Sequence, residues 1–98
     1  MIFNCTTPMP GDVAYPLEYP GFHHMRSVTT DGTYGDDKGI IDSAKEGETV
    51  TVYFQKDWEP NFTNQDTSEA IVCTLVTTYV WAFTMPAAAV NMNEYYND

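Results

Sequence analysis

The sequence predicts a mainly β fold, either a small sandwich or a curled antiparallel sheet, with a proline-rich N-terminal arm. Three observations predict it: a short segment that alternates apolar and polar residues, a longer segment apolar on both faces, and a first quarter dense in proline. β-branched and aromatic residues, which favour strands, are concentrated in the two apolar segments. The 98 residues have the size of one domain, which we divide into an arm, residues 1–25, and a β-rich core, residues 26–98.

The arm is defined by its prolines and by the aromatic residues between them. The prolines are Pro8, Pro10, Pro16 and Pro20. Proline fixes φ and lacks an N–H donor, so we expect extended segments and turns here. Tyr15, Tyr19 and Phe22 make the arm too apolar for a solvated linker. It is therefore expected to lie along its own core or along a neighbouring subunit.

Residues 26–48 are rich in turn formers. Asp31-Gly32 lies between two threonine-containing stretches, residues 28–30 and 33–34, and this pattern predicts a hairpin. Ile40-Ile41 with Ala44, ahead of Gly47, fits either one or two helical turns or a short strand.

Two segments carry the strand patterns. Residues 49–55 alternate cleanly, with Val50, Val52 and Phe54 on one face and Thr49, Thr51 and Tyr53 on the other. Residues 70–83 are apolar on both faces, as expected of a central strand or of a strand inside an assembly, with a candidate bend at Thr77-Thr78. After Pro86, three alanines with Met92 and Tyr96 at helical spacing predict a short C-terminal helix.

The charge balance excludes several classes of partner. Four Lys and Arg against fourteen Asp and Glu give a net charge of −10. So few cations cannot make the phosphate contacts of a nucleic-acid-binding protein, and an anionic membrane surface is disfavoured. The uncharged stretch of residues 70–93 is long enough to span a bilayer. Its threonines, its proline and the lack of flanking Lys or Arg argue against spanning.

Tests for metal and catalytic chemistry find no site. His23-His24 point to opposite faces of an extended chain, and neither Cys5 nor Cys73 has zinc-like spacing from them. The acidic loop of residues 31–37 departs from the EF-hand register. No serine lies in a nucleophile elbow and no glycine-rich phosphate loop is present. We therefore expect a protein that is not an enzyme, with no metal and no cofactor.

The first residues and the two cysteines predict the cellular compartment of the protein. Residues 1–5 lack the basic and apolar regions of a secretory signal, so we expect a cytoplasmic protein with both thiols reduced.

The acidic residues form the candidate partner-binding site. Residues 31–69 carry −7 of the −10 charge. Two acidic pairs bracket the cleanest strand, and in an extended chain the carboxylates of each pair share one face, about 6.6 Å apart, with about 30 Å between the pairs. Such spacing resembles backbone phosphates, and nearby aromatic residues supply anchors. The candidate residues are Glu46, Glu48, Asp57, Trp58, Glu59, Asp36, Asp37 and Tyr53.

Two functional hypotheses follow. The first is an acidic protein-binding module, such as a viral inhibitor in the host cytoplasm that occupies the basic nucleic-acid-binding surface of a host enzyme. The alternative is a structural subunit of a virion-like or other homo-oligomeric assembly, such as a decoration or collar protein. An acidic exterior also keeps a small protein soluble without any partner. Binding that weakens with salt favours the first hypothesis, whereas a large oligomer insensitive to salt favours the second.

Overall fold

The computed structural model describes residues 13–97, and these residues form eight strands with no helix among them. The strands are β1 (Ala14–Glu18), β2 (Met25–Thr29), β3 (Ser43–Lys45), β4 (Thr49–Phe54), β5 (Trp58–Asn64), β6 (Thr74–Thr77), β7 (Val80–Thr84) and β8 (Val90–Tyr96). The predicted mainly β class is confirmed. Pro8, Pro10 and Cys5 lie outside the described residues.

The strands form two four-stranded sheets. Sheet I has the order β3-β1-β8-β5, and sheet II has the order β2-β4-β7-β6. Every pair of neighbouring strands is antiparallel except β1 and β8, which run parallel. Because β1 and β8 come from opposite ends of the described chain, their pairing joins those ends within sheet I.

The hydrophobic core lies between the two sheets. Sheet I contributes the buried Leu17, Ala44, Phe62, Val90 and Met92, and sheet II contributes Met25, Val28, Val50, Val52, Phe54 and Phe83. The ring of Phe62 lies 6.2 Å from that of Phe54 and 5.3 Å from that of Phe83, measured between centroids. These contacts connect the two sheets directly, as in a sandwich.

The alternation predicted for residues 49–55 is confirmed in β4. Val50, Val52 and Phe54 are fully buried in the core. On the opposite face, residues 30–39 fold over the sheet: the Gly35 N–H donates to Ser27 Oγ, and Tyr34 packs edge-on against Tyr53. This loop contributes to the burial of Ser27 and of Thr29, whose hydroxyl donates to the Thr33 carbonyl.

The described part of the proline-rich arm lies on its own core. β1 pairs with β3 over Ala14–Pro16 and with β8 over Leu17–Glu18. Proline lacks a ladder donor, and Pro16 occupies the residue just before the partner strand changes. Leu17 is buried, and the Tyr19 hydroxyl donates to the Ile41 carbonyl at 2.6 Å.

The predicted C-terminal helix is wrong, because the chain after Pro86 bends and then forms β8. Met92 and Tyr96 are four residues apart, a spacing that fits a helix and, equally, one face of a strand. Seven register pairs between β5 and β8, from Trp58–Tyr96 to Asn64–Val90, decide for the strand.

Residues 70–83 form a hairpin, β6 and β7, rather than one long strand. The candidate bend is a turn that ends at Tyr79, which has a φ of 66°. β7 lies inside sheet II, whereas β6 is its edge and all four of its residues are exposed. The apolar residues of β7 are therefore explained by its position inside the sheet, whereas those of β6 lie on an exposed edge strand.

The predicted hairpin at Asp31-Gly32 is also wrong. The chain does turn there, with the Asp31 carboxylate accepting from the Thr33 N–H and hydroxyl, but β2 pairs with β4. Of the two alternatives for residues 40–44, the structure has the strand: Ile40 bridges to Val28, and Ser43–Lys45 is β3.

Candidate functional site

An open cleft of about 250 Å³ lies at one end of the sandwich, where the start of β5 faces the β6–β7 hairpin. Its walls combine carboxylates, aromatic rings and an amide. The lining residues are Asp57, Trp58, Glu59, Leu75, Thr78, Tyr79, Trp81 and Asn97. We call this the acid–aromatic cleft. It contains three of the eight residues that the sequence nominated.

The Trp58 indole is held between two other rings. The imidazole of His24 stacks on it, with centroids 3.7 Å apart and planes 6° apart. Tyr96, its register partner in β8, lies tilted at 5.4 Å. The indole therefore has a fixed orientation at the cleft wall before any ligand arrives.

His24 is fixed in turn by Glu94. The two carboxylate oxygens of Glu94 each accept from the His24 backbone N–H at 2.8 Å, and Oε2 lies 2.6 Å from His24 Nδ1. The side chain of Glu94 is only 6% exposed and that of His24 is 18% exposed. The histidine is thus a structural residue that supports the cleft from behind, and the sequence interpretation missed this pairing.

Glu59 is oriented by the last residues of the described chain. Its carboxylate accepts from the Tyr95 hydroxyl at 2.8 Å and from the Asn97 amide at 2.6 Å. The hydrogen bond to Glu59 raises the pKa of the exposed Tyr95 above its ordinary value. Both donors come from β8 and its end, so the sheet I ladder decides where this carboxylate points.

Asp57 lies in the turn between β4 and β5. Its φ is 70°, in the left-handed region, and its carbonyl accepts from the Asn97 N–H at 2.7 Å. The sequence interpretation assumed that Asp57 and Glu59 lie in one extended segment, and this is wrong because Asp57 is in the turn. Both residues still line the same cleft.

Glu46 and Glu48 lie in a turn at the other end of β4, where Gly47 has a φ of 87°. Glu48 Oε1 accepts from the Lys45 N–H at 2.7 Å. The predicted extended geometry is wrong for this pair as well, because the turn from β3 to β4 needs both residues. Neither residue lines the acid–aromatic cleft.

Asp36 and Tyr53 belong to a third group, on the outer face of sheet II. Asp36 accepts two hydrogen bonds of 2.6 Å from Arg26, whose guanidinium lies 4.4 Å from the Tyr53 ring centroid. The hydrogen bond from Arg26 holds the pKa of Asp36 below its ordinary value. Asp36 and Tyr53, both nominated from the sequence, therefore already contact the Arg26 cation of this chain. The adjacent Asp37 is exposed to solvent.

Sequence reasoning did not nominate five of the lining residues, which are Leu75, Thr78, Tyr79, Trp81 and Asn97. The first four belong to the segment for which only strand faces and a bend are predicted, and Asn97 carries no signal in the sequence. Their approach to residues 57–59 depends on which strands pair, and local patterning does not contain that information.

Comparison with known proteins adds no relative: no family model, no curated protein and no solved structure matches this chain. Within residues 13–97, no three His, Cys, Asp or Glu side chains lie close enough to hold a metal ion. The same residues contain no helix long and apolar enough to cross a membrane.

Proposed function

We propose that the protein is an acidic protein-binding module that takes a basic segment of a partner protein. An arginine or lysine side chain of the partner enters the acid–aromatic cleft. The observation that carries the proposal is that the acidic residues Asp57 and Glu59 line one open cleft together with the aromatic residues Trp58, Tyr79 and Trp81.

The chemistry of the cleft suits a cation with a flat or apolar body. A carboxylate gives a charge-assisted hydrogen bond, and an aromatic face attracts a cation within about 6 Å of its centroid. Arginine combines both interactions because its planar guanidinium stacks and donates at once. The chain contains an internal example: Arg26 donates twice to Asp36 and covers the ring of Tyr53.

Net charge supports the same partner. A charge of −10 attracts a basic surface over a distance and raises the rate of encounter. The fixed Trp58 and Glu59 side chains then provide a contact that needs little ordering on binding. Long-range attraction and a preformed cleft together favour a basic protein surface over a small neutral ligand.

The hypothesis that the acidic residues imitate nucleic-acid phosphates receives less support than binding in the cleft. Phosphate-like spacing requires an extended chain at Glu46/Glu48 and at Asp57/Glu59, and each pair includes a turn residue. The proposal therefore depends on side chains that converge in one place, whichever basic protein the partner is.

The test uses a hexa-arginine peptide and the intrinsic fluorescence of the protein. The chain has two tryptophans, and Trp58 and Trp81 both line the cleft, so the signal reports on this site. We expect saturable binding that weakens as NaCl rises from about 50 to about 300 mM. No fluorescence change at saturating peptide would overturn the proposal.

A matched pair of variants separates the cleft from general acidity. Glu59→Gln and Glu46→Gln each remove one negative charge, but only Glu59 lines the cleft. Loss of a charge-assisted contact is expected to weaken peptide binding about tenfold in Glu59→Gln. Binding by Glu46→Gln is expected to stay within about twofold of the wild type. Equal losses in both variants would show that net charge alone attracts the peptide.

A further inference from the structure

β6 leaves one edge of sheet II open. The strand pairs with β7 on one side and is the outermost strand of the sheet in the described chain. All four of its residues are exposed, among them the apolar Leu75 and Val76, and the nearby Val72 is 86% exposed. Such an edge presents backbone donors and acceptors that another strand can pair with.

The other three sheet edges are protected. Residues 39–41 cover β2 through two hydrogen bonds to the backbone of Val28. The far half of β5 is covered by residues 69–71, with Ile71 N–H donating to the Phe62 carbonyl, while its near half carries a glutamate and Pro60. β3 has only three residues and ends in a lysine. Charge and proline are two of the usual ways to prevent edge pairing, and β6 has neither; its four residues and its register irregularity limit how much of the edge can pair.

The distribution of charge along the chain indicates which molecule can pair with this edge strand. Residues 70–93 contain no charged side chain, in a chain whose net charge is −10. A basic partner is attracted to the acidic surfaces of the chain and not to this neutral edge. A second copy of this chain is repelled by the acidic surfaces and meets least repulsion along β6.

We propose that β6 pairs antiparallel with β6 of a second copy about a twofold axis and joins the two copies of sheet II. Antiparallel pairing of one strand with itself is self-complementary, as a twofold interface requires. The register irregularity between Leu75 and Thr77 keeps the paired stretch short. The exposed side chains of Leu75 and Val76 then supply the apolar part of the contact. This dimer is a first step toward the homo-oligomeric assembly of the second hypothesis, and its interface shares Leu75 with the acid–aromatic cleft.

The test is the mass of the full chain in solution, measured by light scattering or sedimentation over about two decades of concentration. We expect the mass to approach twice the 11.1 kDa of one chain at the upper end. Raising the salt should tighten the dimer or leave it unchanged, because salt screens the repulsion between acidic copies. A monomer at every concentration would overturn the proposal.

Two matched variants locate the interface. Val76→Lys and Phe22→Lys each replace an exposed apolar side chain, 56% and 79% exposed, by a cation. Lysine on the edge strand is expected to raise the dimer dissociation constant about tenfold or more. Phe22→Lys should dimerise as the wild type does. Equal behaviour of the two variants would place the interface elsewhere and overturn the proposal.

Amide hydrogen exchange gives a second, independent readout. The backbone amides of Thr74–Thr77 that face the open edge should exchange more slowly as concentration rises in the wild type. No such change is expected in Val76→Lys. Protection that does not depend on concentration would contradict strand pairing between copies.

Discussion

The imidazole of His24 lies parallel to the indole of Trp58, with ring centroids 3.7 Å apart. His24 precedes β2 and Trp58 is the first residue of β5, so the contact connects sheet II to sheet I beside the acid–aromatic cleft. Glu94 fixes the histidine by accepting from the His24 backbone N–H and by the contact of its carboxylate with His24 Nδ1. The orientation of a cleft-lining ring thus depends on a carboxylate that does not itself line the cleft.

Replacing His24 by alanine should therefore weaken both stability and binding. The change removes the stacked ring and leaves one Glu94 oxygen without its side-chain partner, in a side chain that is 6% exposed. Oε2 keeps its bond from the backbone N–H, so the cost is that of one lost hydrogen bond to a charged group, about 1.5–3 kcal/mol, which urea unfolding measures. Hexa-arginine binding should weaken as well, because Trp58 loses the ring that orients it.

His23→Ala is the control, since His23 is half-buried beside His24 but has no bond to Glu94 among the hydrogen bonds of the described residues. We expect a smaller loss of stability and binding close to that of the wild type. Equal effects of the two substitutions would contradict the supporting role assigned to His24.

The sequence was sufficient where structure follows from local pattern. Strict alternation over residues 49–55 placed Val50, Val52 and Phe54 in the core, and the structure buries all three completely. The same reasoning failed after Pro86, because a spacing of four residues fits both helix and strand periods. Pairing with β5 decided that case, and pairing is a long-range property.

The residues of the candidate site also divide into those that the local sequence predicts and those that depend on long-range contacts. Asp57, Trp58 and Glu59 are consecutive, so a local search for acids beside an aromatic residue finds them. The His24–Glu94 contact spans 70 positions, and it forms only once β2, β5 and β8 have assembled. Asp36 looked available in the sequence because its partner, Arg26, is ten residues away in another element.

Stability should fall at alkaline pH through Tyr19. Burial, together with the charge of Asp42, raises the pKa of the Tyr19 hydroxyl above its ordinary value of 10.0. A group whose folded pKa is raised stabilises the fold below its unfolded pKa, and that stability is lost as pH rises beyond it. Urea unfolding should therefore show a decline that begins near pH 10 and is weaker in Tyr19→Phe.

Tyr19→Phe has a cost of its own near neutral pH. The variant removes the hydrogen bond to the Ile41 carbonyl, at a cost of about 1 kcal/mol. Tyr96→Phe, at an exposed position, is the control and should follow the alkaline decline of the wild type. The same alkaline slope in Tyr19→Phe and the wild type would refute the assignment.

Cys73 should react slowly with alkylating reagents. Burial raises the pKa of its thiol to about 11. Because the thiolate is the nucleophile, about a thousandth of the thiol is reactive near pH 8. A Cys5→Ser background isolates this residue, and the rate of iodoacetamide alkylation should keep rising with pH toward about 11. Unfolding in urea should abolish the protection, whereas a plateau near pH 9 in the folded protein would contradict it.

Arg26 separates binding in the cleft from attraction by the whole acidic surface. Arg26→Ala frees Asp36 and makes the chain one charge more negative, on the outer face of sheet II. If total charge determined binding, hexa-arginine would bind this variant more tightly than the wild type. Because the cleft is intact, we expect affinity within about twofold of the wild type. Loss of an exposed ion pair should cost about 1 kcal/mol or less in urea unfolding.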